Sequence, residues 1–473
     1  MTYESVLLWF RNDLRIHDHE ALYKASLQAS TVIPVFVFDP RWFVELDLGF
    51  RKTNGLRTQF LIESVMNLRQ NLQKRGSDLI VRVGKPEEII PQITQEVGAK
   101  AVFTSEEITQ EEIDVDSQVE QRLEAMGIEM KLFWMSTLFH HDDIPFDIDQ
   151  LPDIFTEFRK KTERFTKVRT AFPTPKSLLL DVSINKGQIP TLQDLGFEGL
   201  PPQTPYKGGE SEALNRLDAY LWQQDRLRVY KETRNEMLGL DYSSKFSVWL
   251  ANGCMSPRYI YEELRRYEHE RIANDSTYWL IFELIWRDYF RFVALKYGNR
   301  IFLTEGIKND TKSNWLHNRS IFDAWRNGKT GIPLIDASMR ELKQTGFMSN
   351  RGRQNVASFL AKDLHIDWTW GAAWFESQLL DYDVCSNWGN WNYVAGVGND
   401  PRENRYFNIY KQATRYDAEG LFVKHWLPEL FNVPTSKIHL VSMLTTEEQK
   451  RFNVQIGIHY PKPLVNVTKW LQP

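Results

Sequence analysis

Two stretches of the chain, 348–358 and 381–391, place amide, carboxylate and guanidinium side chains among apolar residues. They carry more polar groups than a plain core loop would, and buried amides and carboxylates need partners, either one another or a ligand. The groups that could do chemistry here are Asn350, Arg353, Asp381, Asp383 and Asn387. On the residues alone, Arg353 with Asp381 is either a structural ion pair or part of a ligand site.

The same residues argue against a metal centre. Asp381 and Asp383 lie two residues apart, which resembles half of a metal site, but no histidine stands near them in the sequence. We therefore predict that no metal is bound. Cys254 and Cys385 are the only cysteines, which excludes a disulfide framework, a four-thiolate zinc site and an iron–sulfur cluster. Two unpaired cysteines favour a reducing compartment.

Tryptophan and charge are unevenly distributed. Ten of the 16 tryptophans fall between Trp279 and Trp426, a density that suits a large planar cofactor or electron transfer, and equally a tryptophan-rich core. The net charge of −4 divides into −10 for residues 1–150 and +6 for residues 151–473. The second part could attract a polyanion, although chance asymmetry of a solvated surface explains the same numbers.

The elements that must position these residues follow from hydrophobic periodicity. The first 135 residues alternate short β-branched runs with amphipathic stretches, which predicts right-handed crossovers and a mostly parallel, doubly wound five-stranded sheet. The predicted strands are 6–10, 31–38, 79–83, 101–104 and 129–134, and the predicted helices lie near 19–28, 55–75, 86–97 and 110–126. No G-x-G-x-x-G follows the first strand, so the fold is Rossmann-like without a dinucleotide fingerprint.

The remaining chain divides into a connector and a helical part. Residues 136–205 are proline-rich with a basic block at 159–169, and we expect them to wrap the surface. From about residue 206 the period changes to 3.6, which predicts an all-α domain. Its predicted helices are 212–230, 257–269, 277–297, 321–327, 332–345, 356–364, 371–380 and 410–413. No apolar run is long enough to span a membrane, and no leader is visible, so we expect a cytoplasmic protein, with the nucleus or an organelle as alternatives.

Several long motifs, in order, make the chain recognisable. It resembles the photolyase/cryptochrome family over nearly its whole length, and most closely the cryptochrome-DASH branch. The motifs are Trp286-Arg-Asp-Tyr-Phe, Gly328-Lys-Thr-Gly-Ile-Pro, Asp336-Ala-Ser-Met-Arg340, Asn350-Arg-Gly-Arg353, Asn387-Trp-Gly-Asn-Trp391 and Val394-Ala-Gly-Val-Gly-Asn-Asp-Pro-Arg402. The resemblance implies an α/β antenna domain at 1–135, the connector at 136–205, and a helical FAD-binding domain at 206–473.

The resemblance also implies roles for individual residues in holding FAD. The diphosphate would be bound by Tyr230 and the loop Ser243, Ser244, Lys245, Phe246 and Ser247, where lysine replaces the arginine usual in the family. Positions lining the flavin are Arg287, Asn350, Arg353, Asp381, Asp383 and Asn387. Asn387 matches the residue that faces flavin N5, and a neutral amide there favours the fully reduced flavin of photolyases.

Further positions match the family's electron relay and substrate pocket. Trp391, Trp368 and Trp315 match the tryptophans that carry electrons to the photoexcited flavin, although core packing explains each of them singly. Glu283, Trp286 and Asn350 match residues that contact a flipped pyrimidine dimer. Gln354 and Tyr393 stand where cyclobutane-dimer photolyases usually have methionine and tryptophan. A less apolar pocket favours repair of dimers in single-stranded DNA, from which extraction costs less than from duplex.

These implications define the expected function. We expect a monomeric, blue-light-driven deoxyribodipyrimidine photolyase acting on single-stranded DNA, RNA or locally unpaired duplex; the alternative is a cryptochrome-type photoreceptor that binds nucleic acid without repair. The expected phosphate contacts are Arg351 and Arg402, followed by Arg405 and the basic block. Glu112 matches a carboxylate that binds 5,10-methenyltetrahydrofolate in some relatives, and a solvated helix face is the other interpretation of its acidic surroundings.

Overall fold

The N-terminal part of the molecule is built on a five-stranded parallel sheet. The computed structural model describes residues 2–180, 182–199, 201–312, 314–402 and 405–471. The strand order is β3-β2-β1-β4-β5, and every neighbouring pair is parallel. The strands are β1 (Tyr3–Phe10), β2 (Ala29–Phe38), β3 (Ile80–Val83), β4 (Ala101–Ser105) and β5 (Glu129–Phe133). A short antiparallel hairpin joins Glu45–Leu46 to Phe50–Arg51.

Four helices connect the strands: α1 (Glu20–Gln28), α2 (Gly55–Gln73), α3 (Pro86–Val97) and α4 (Gln110–Glu124). Both faces of the sheet are covered, because successive side chains of a strand point to opposite sides. Leu7 and Trp9 join one apolar core with α3 and α4. Val6 and Leu8 join a larger core that includes α1, α2 and helices of the C-terminal half. One face of the sheet therefore shares a core with part of the helical half.

The connector contains one long helix, α5 (Phe155–Phe165), whose apolar face is buried. Phe155 and Phe158 pack against the C-terminal half, where both rings contact Tyr289. Later in the connector, the carbonyls of Leu179 and Lys186 accept hydrogen bonds from Val32 and Val81 at the sheet. These contacts join the connector to both the sheet and the helical half.

The C-terminal half is helical in the part of the chain that the structure describes. Its longer helices are α6 (Glu210–Asp218), α7 (Pro257–Glu270), α8 (Asp275–Tyr297), α9 (Arg319–Arg326), α10 (Pro333–Thr345), α11 (Asn350–Ser358), α12 (Trp368–Gln378), α13 (Val384–Ala395) and α14 (Ile409–Tyr416). Shorter helices are Tyr230–Thr233, Ser247–Leu250, Leu421–Trp426, Thr435–Ile438 and Thr446–Arg451. One turn of π-helix, Phe359–Asp363, extends α11.

The predicted fold class is confirmed, and the predicted strands agree with the observed ones to within three residues at each end. The predicted helices differ from the observed ones in three places, the first being 212–230, whose α-helical part ends at Asp218 and continues as a π-helical turn, Ala219–Gln223. Helix α11 begins six residues before the predicted 356, and α13 was not predicted. Both are rich in Asn, Gly and Ser, which favour helices weakly; Ser349 and Asp383 cap their N-termini by accepting from the amides of Gly352 and Ser386. None of the described helices is long and apolar enough to cross a membrane.

Candidate cofactor and substrate cavity

A cavity of about 490 Å³ opens among the helices of the C-terminal half, within the range of small-molecule sites. Its walls come from α8, α11, α12, α13 and the loop 242–247. Most predicted site residues line it: Tyr230, Ser243, Ser244, Lys245, Phe246, Ser247, Glu283, Trp286, Arg287, Asn350, Arg353, Gln354, Asp381, Asp383, Asn387, Trp391, Tyr393, Arg402 and Arg405. Arg351, Trp368, Trp315 and Glu112 are not part of its wall.

The loop that carries Lys245 is held by the guanidinium group of the half-buried Arg216. Arg216 donates to the carbonyl oxygens of Ser243 and Ser244, each at 3.0 Å. Lys245 has φ of 62°, in the left-handed region. The loop therefore presents its side chains and serine hydroxyls to one end of the cavity.

Lys245 is almost fully buried, and no described oxygen lies within hydrogen-bond range of its ammonium group. Nζ lies 3.3 Å from the centroid of the Tyr242 ring and 4.4 Å from that of Phe347. Burial lowers the pKa of Lys245 to about 7, in spite of the charge of Glu341. Burial likewise raises the pKa of Glu341 to about 8, and its Oε2 has no partner among the described residues. Lys245 thus lies in the cavity wall without a hydrogen-bonded anion among the described residues.

Arg353 and Asp381, which also line the cavity, form the predicted pair. One guanidinium nitrogen of Arg353 donates to both carboxylate oxygens, at 2.9 and 2.8 Å, while Nε donates to the carbonyl of Met348. The carboxylate is buried. Its position links α11 to the start of α13.

Asp383 has two structural partners besides its place in the cavity wall. Its Oδ1 caps α13, and its Oδ2 lies 3.4 Å from the guanidinium groups of Arg287 and Arg291. Burial would raise the pKa of Asp383, but the two arginines outweigh it and hold the pKa below its usual value. Asp383 therefore remains a carboxylate at neutral pH.

The amide of Asn387 has a defined orientation. Its Nδ2 donates to the carbonyl of Ala372 at 3.1 Å, and this acceptor fixes which end of the amide is nitrogen. Oδ1 is left as an acceptor for a donor inside the cavity. A ring N–H is the kind of donor that would meet it.

Glu283 lies at the cavity mouth, held by two donors. It forms an ion pair with Arg234 and accepts from Trp279 Nε1 at 3.1 Å. Burial raises the pKa of Glu283, while Arg234 and Trp279 oppose that rise. Arg234 therefore controls how readily this carboxyl group takes up a proton.

Trp286 meets the cavity on one side only. Phe155 of the connector stacks on its ring at 3.6 Å between centroids, with the planes 10° apart. Tyr393 stands edge-on to it at 6.0 Å. A bound base could therefore stack only on the uncovered side of Trp286, opposite a wall made partly by Tyr393.

The cavity mouth is polar and basic. Gln354 is half-buried there, and its Oε1 accepts from Arg351, which also reaches Asn235. Asn350 is exposed at the rim. Two further arginines, Arg402 and Arg405, share Asp400 at 3.4 and 3.3 Å. Arg351 thus contacts the pocket through Gln354.

The three predicted relay tryptophans differ in burial. Trp391 lines the cavity and is buried; Trp368 is buried at the start of α12 and donates to the carbonyl of Thr304; Trp315 is half-buried. Trp391 packs against Gly371, where an added Cβ would lie 2.3 Å from its Cη2. The ring neighbour of Trp368 is Trp388, at 5.8 Å.

Glu112 lies in the first turn of α4, away from the cavity. It accepts from Thr109, and burial together with Glu107 raises its pKa. Glu112 is near enough to Tyr382 to raise the pKa of that phenol, although burial and Glu376 raise it more. Glu112 therefore lies beside the helical half and not on a free helix face.

One described group brings three possible metal ligands within 4.8 Å of one another: His140, His141 and Asp142. None of these residues lines the cavity. Arg169 lies 3.9 Å from Asp142, and a guanidinium group there opposes a second cation.

Sequence reasoning missed two residues that shape the mouth. Arg234 follows Tyr230 by four residues and so lies on the same side of one helical turn, which could have suggested a shared site. Phe155 carried no signal, because it belongs to the connector and reaches Trp286 only in the folded chain. Glu341 was missed as well, since a glutamate in a helix usually faces solvent.

The residues of the cavity fit FAD. The unpaired Lys245 and the serine hydroxyls would hold the diphosphate, and Arg353, Asp381 and Asn387 offer donors and acceptors to a flat polar ring. Trp391, Phe375 and Met348 supply apolar walls for the same ring.

Comparison with known proteins agrees with this geometry. The family model described as FAD binding domain of DNA photolyase matches residues 279–472, and the one described as DNA photolyase matches residues 6–176. A protein named cryptochrome DASH from Synechocystis is 52% identical over 98% of this chain and 95% of its own length. Another of the same name from Xenopus laevis is 50% identical over 98% of this chain and 90% of its own length.

Solved structures show the same likeness. The crystal structure of a Synechocystis cryptochrome has a TM-score of 0.95 at 52% identity, covering 99% of this chain and 97% of its own. A bacterial class III photolyase from Agrobacterium tumefaciens has a TM-score of 0.87 at 28% identity, covering 99% and 96%.

Proposed function

The chain belongs to the photolyase/cryptochrome family, most like its cryptochrome-DASH branch, and on that premise we propose that it repairs cyclobutane pyrimidine dimers in single-stranded DNA under blue light. One observation carries the proposal: the residues suited to holding FAD and those suited to a flipped dimer, Glu283 and Trp286, line one cavity. Bound, fully reduced FAD would supply one electron to the dimer when excited and take it back after the ring opens. The reaction has no net redox change.

Asn387 and Glu283 act on the two partners of that electron transfer. Oδ1 of Asn387 would accept a hydrogen bond from a ring N–H of the cofactor, because its Nδ2 donates to the carbonyl of Ala372. Glu283 offers its carboxyl group to the carbonyl oxygens of the dimer, where negative charge develops. The pKa of Glu283 is raised mainly by burial, which favours the protonated, donating form. Arg234 and Trp279 hold the group in place.

The single-strand preference follows from the composition of the pocket. Extracting a dimer from duplex DNA costs a few kcal/mol, and the apolar contacts of the pocket have to offset it. Here Gln354 brings an amide bonded to Arg351, and Tyr393 is smaller than tryptophan. Less apolar surface is therefore buried when the dimer binds. The apolar contacts then balance the cost of extracting a dimer from a single strand but not from an intact duplex.

The three tryptophans supply electrons that reduce the cofactor. Trp391 at the cavity and Trp368 are both buried, whereas Trp315 is half-buried. The backbone of Leu316, next to Trp315, bonds with His365 and Asp367 beside Trp368. This order suits transfer of an electron from the surface inward.

We further propose that Glu112 contributes to an antenna site for 5,10-methenyltetrahydrofolate. A half-buried carboxyl group with a raised pKa, facing the helical half, is suited to hydrogen-bond a pterin ring. Absorbance of the purified protein tests this: a second pigment lost in Glu112→Gln supports the site, and an unchanged spectrum refutes it.

The repair activity is tested directly. The purified holoprotein is reduced, mixed with ultraviolet-damaged oligothymidine and illuminated with blue light, and recovery of thymine absorbance is followed. We expect recovery with single strands and little with the same lesion in duplex. If the cofactor is reduced normally and no thymine is recovered, the proposal fails, and a regulator that binds nucleic acid without repair takes its place.

A further inference from the structure

An aromatic ridge runs from the cavity to the surface beside α8. Phe282 lines the cavity, and its ring lies 4.8 Å from Trp279 and 5.3 Å from Phe155. Both Trp279 and Phe282 are half-buried, so part of each ring faces solvent. The ridge joins the substrate side of the cavity to the exterior.

Cations border this ridge. Lys231 Nζ lies 5.0 Å and Arg234 Cζ 5.3 Å from the centroid of the Trp279 ring. Arg159, from the basic block of the connector, lies 5.4 Å from that of Phe282. Flat rings with cations between them are the pattern that single-stranded nucleic acid prefers, because bases stack on the rings while phosphates meet the cations.

A second platform of the same kind lies at the Gln354 side of the mouth. Arg351, which donates to Gln354, lies 4.5 Å from the centroid of the half-buried Tyr416 ring, and Arg415 lies 5.3 Å from it. The cavity mouth is therefore flanked by two aromatic rings, each carrying two cations.

We propose that Trp279 and Tyr416 are stacking platforms for the nucleotides on either side of the pair held in the cavity. The inference rests on the proposed function and extends it to the path of the strand. Bases of a duplex are already stacked and paired, so these rings can receive only unpaired bases. The platforms would therefore favour single strands independently of how apolar the pocket is.

The test uses the holoprotein in the dark with fluorescein-labelled, undamaged oligothymidine, and binding is followed by anisotropy at several salt concentrations. Trp279→Ala should weaken binding by about 5- to 150-fold, the loss of one base–aromatic stack, with the salt dependence unchanged because no phosphate contact is removed. Trp279→Phe should retain most of the affinity, since it keeps a ring and loses only the bond to Glu283.

Trp222 provides a matched control. It donates Nε1 to Glu263 and has Arg266 and Arg271 on its ring at 4.3 and 5.4 Å, but its ring pairs with Tyr267, which does not line the cavity, whereas the ring of Trp279 pairs with the cavity residue Phe282. Trp222→Ala should bind oligothymidine like the wild type. FAD absorbance and thermal melting verify that each variant is folded.

Affinity for a duplex separates stacking from general damage. Trp279→Ala should lose affinity for the single strand and keep its weaker affinity for undamaged duplex. Equal loss on both, or single-strand binding within twofold of the wild type, overturns the platform. If the wild type binds single strands through Trp279 but repairs no dimers, the proposed function is overturned and the platform is not.

Discussion

Substituting Gly371 with alanine should slow the proposed electron relay, because Trp391 packs against this glycine. The added Cβ would lie 2.3 Å from Trp391 Cη2 and 2.6 Å from Leu360 Cδ2. Carbon atoms pack at about 3.5–4.0 Å, so the indole must shift by more than about 1 Å or tilt. Inserting one methyl group into such a site costs about 1–3 kcal/mol of unfolding free energy.

Gly389→Ala is the matched control for this variant. Gly389 lies on α13, and a Cβ added there would come within the same 2.3 Å of Phe290 Cδ1 on α8. It would not touch Trp391. Both variants should unfold at lower denaturant concentration than the wild type by similar amounts. Only Gly371→Ala should be slow in photoreduction.

The assay is blue-light reduction of bound, oxidised FAD with an external thiol, compared at equal FAD content. Repair is measured separately with chemically reduced protein, which bypasses the relay, and Gly371→Ala should repair normally there. If Gly371→Ala photoreduces like the wild type although it is destabilised, the position of Trp391 does not limit electron entry. Equal slowing in Gly389→Ala would show that the loss reflects general damage to the helices. Either result refutes the reasoning.

FAD affinity should fall as pH rises from 7 to 9, because Lys245, with a pKa of about 7, must be protonated to bind the diphosphate. Titrating the apoprotein with FAD at several pH values checks this. Lys245→Arg should make the FAD affinity independent of pH over this range. Arg234→Gln should raise the pKa of Glu283 further and shift the pH profile of repair upward. Gln354→Met with Tyr393→Trp should strengthen binding of dimers in duplex DNA roughly tenfold, by added apolar contact, in a gel-shift assay; an unchanged affinity would contradict the pocket argument.

The fold could be predicted because its elements are local patterns. Strands such as β1 and β2 are continuous apolar runs, and α8 has 23 residues with a capped start at Asn274. Helix α13 was missed because its stability comes from Asp383, which caps it and is held by arginines of α8, and from packing of Trp391. Neither interaction is visible in a short window of sequence.

The site was predictable where a family motif runs along one segment. Arg353 with Asp381 and the loop around Lys245 lie in such motifs, and the structure brings them to one cavity. Partners contributed by distant segments were not predictable: Phe155 reaches Trp286 from 131 residues away. The raised pKa of Glu341 also depends on burial, which only the folded chain defines.

The stacking of Phe155 on Trp286 bears on how chimeras of this protein can be built. A junction at the end of the connector, near residue 205, would replace the ring that packs on the side of Trp286 away from the cavity. A helical half joined there would present Trp286 without Phe155 on its ring. Chimeras that exchange antenna domains should therefore retain α5 with the catalytic part and join the two sequences on its N-terminal side, after β5.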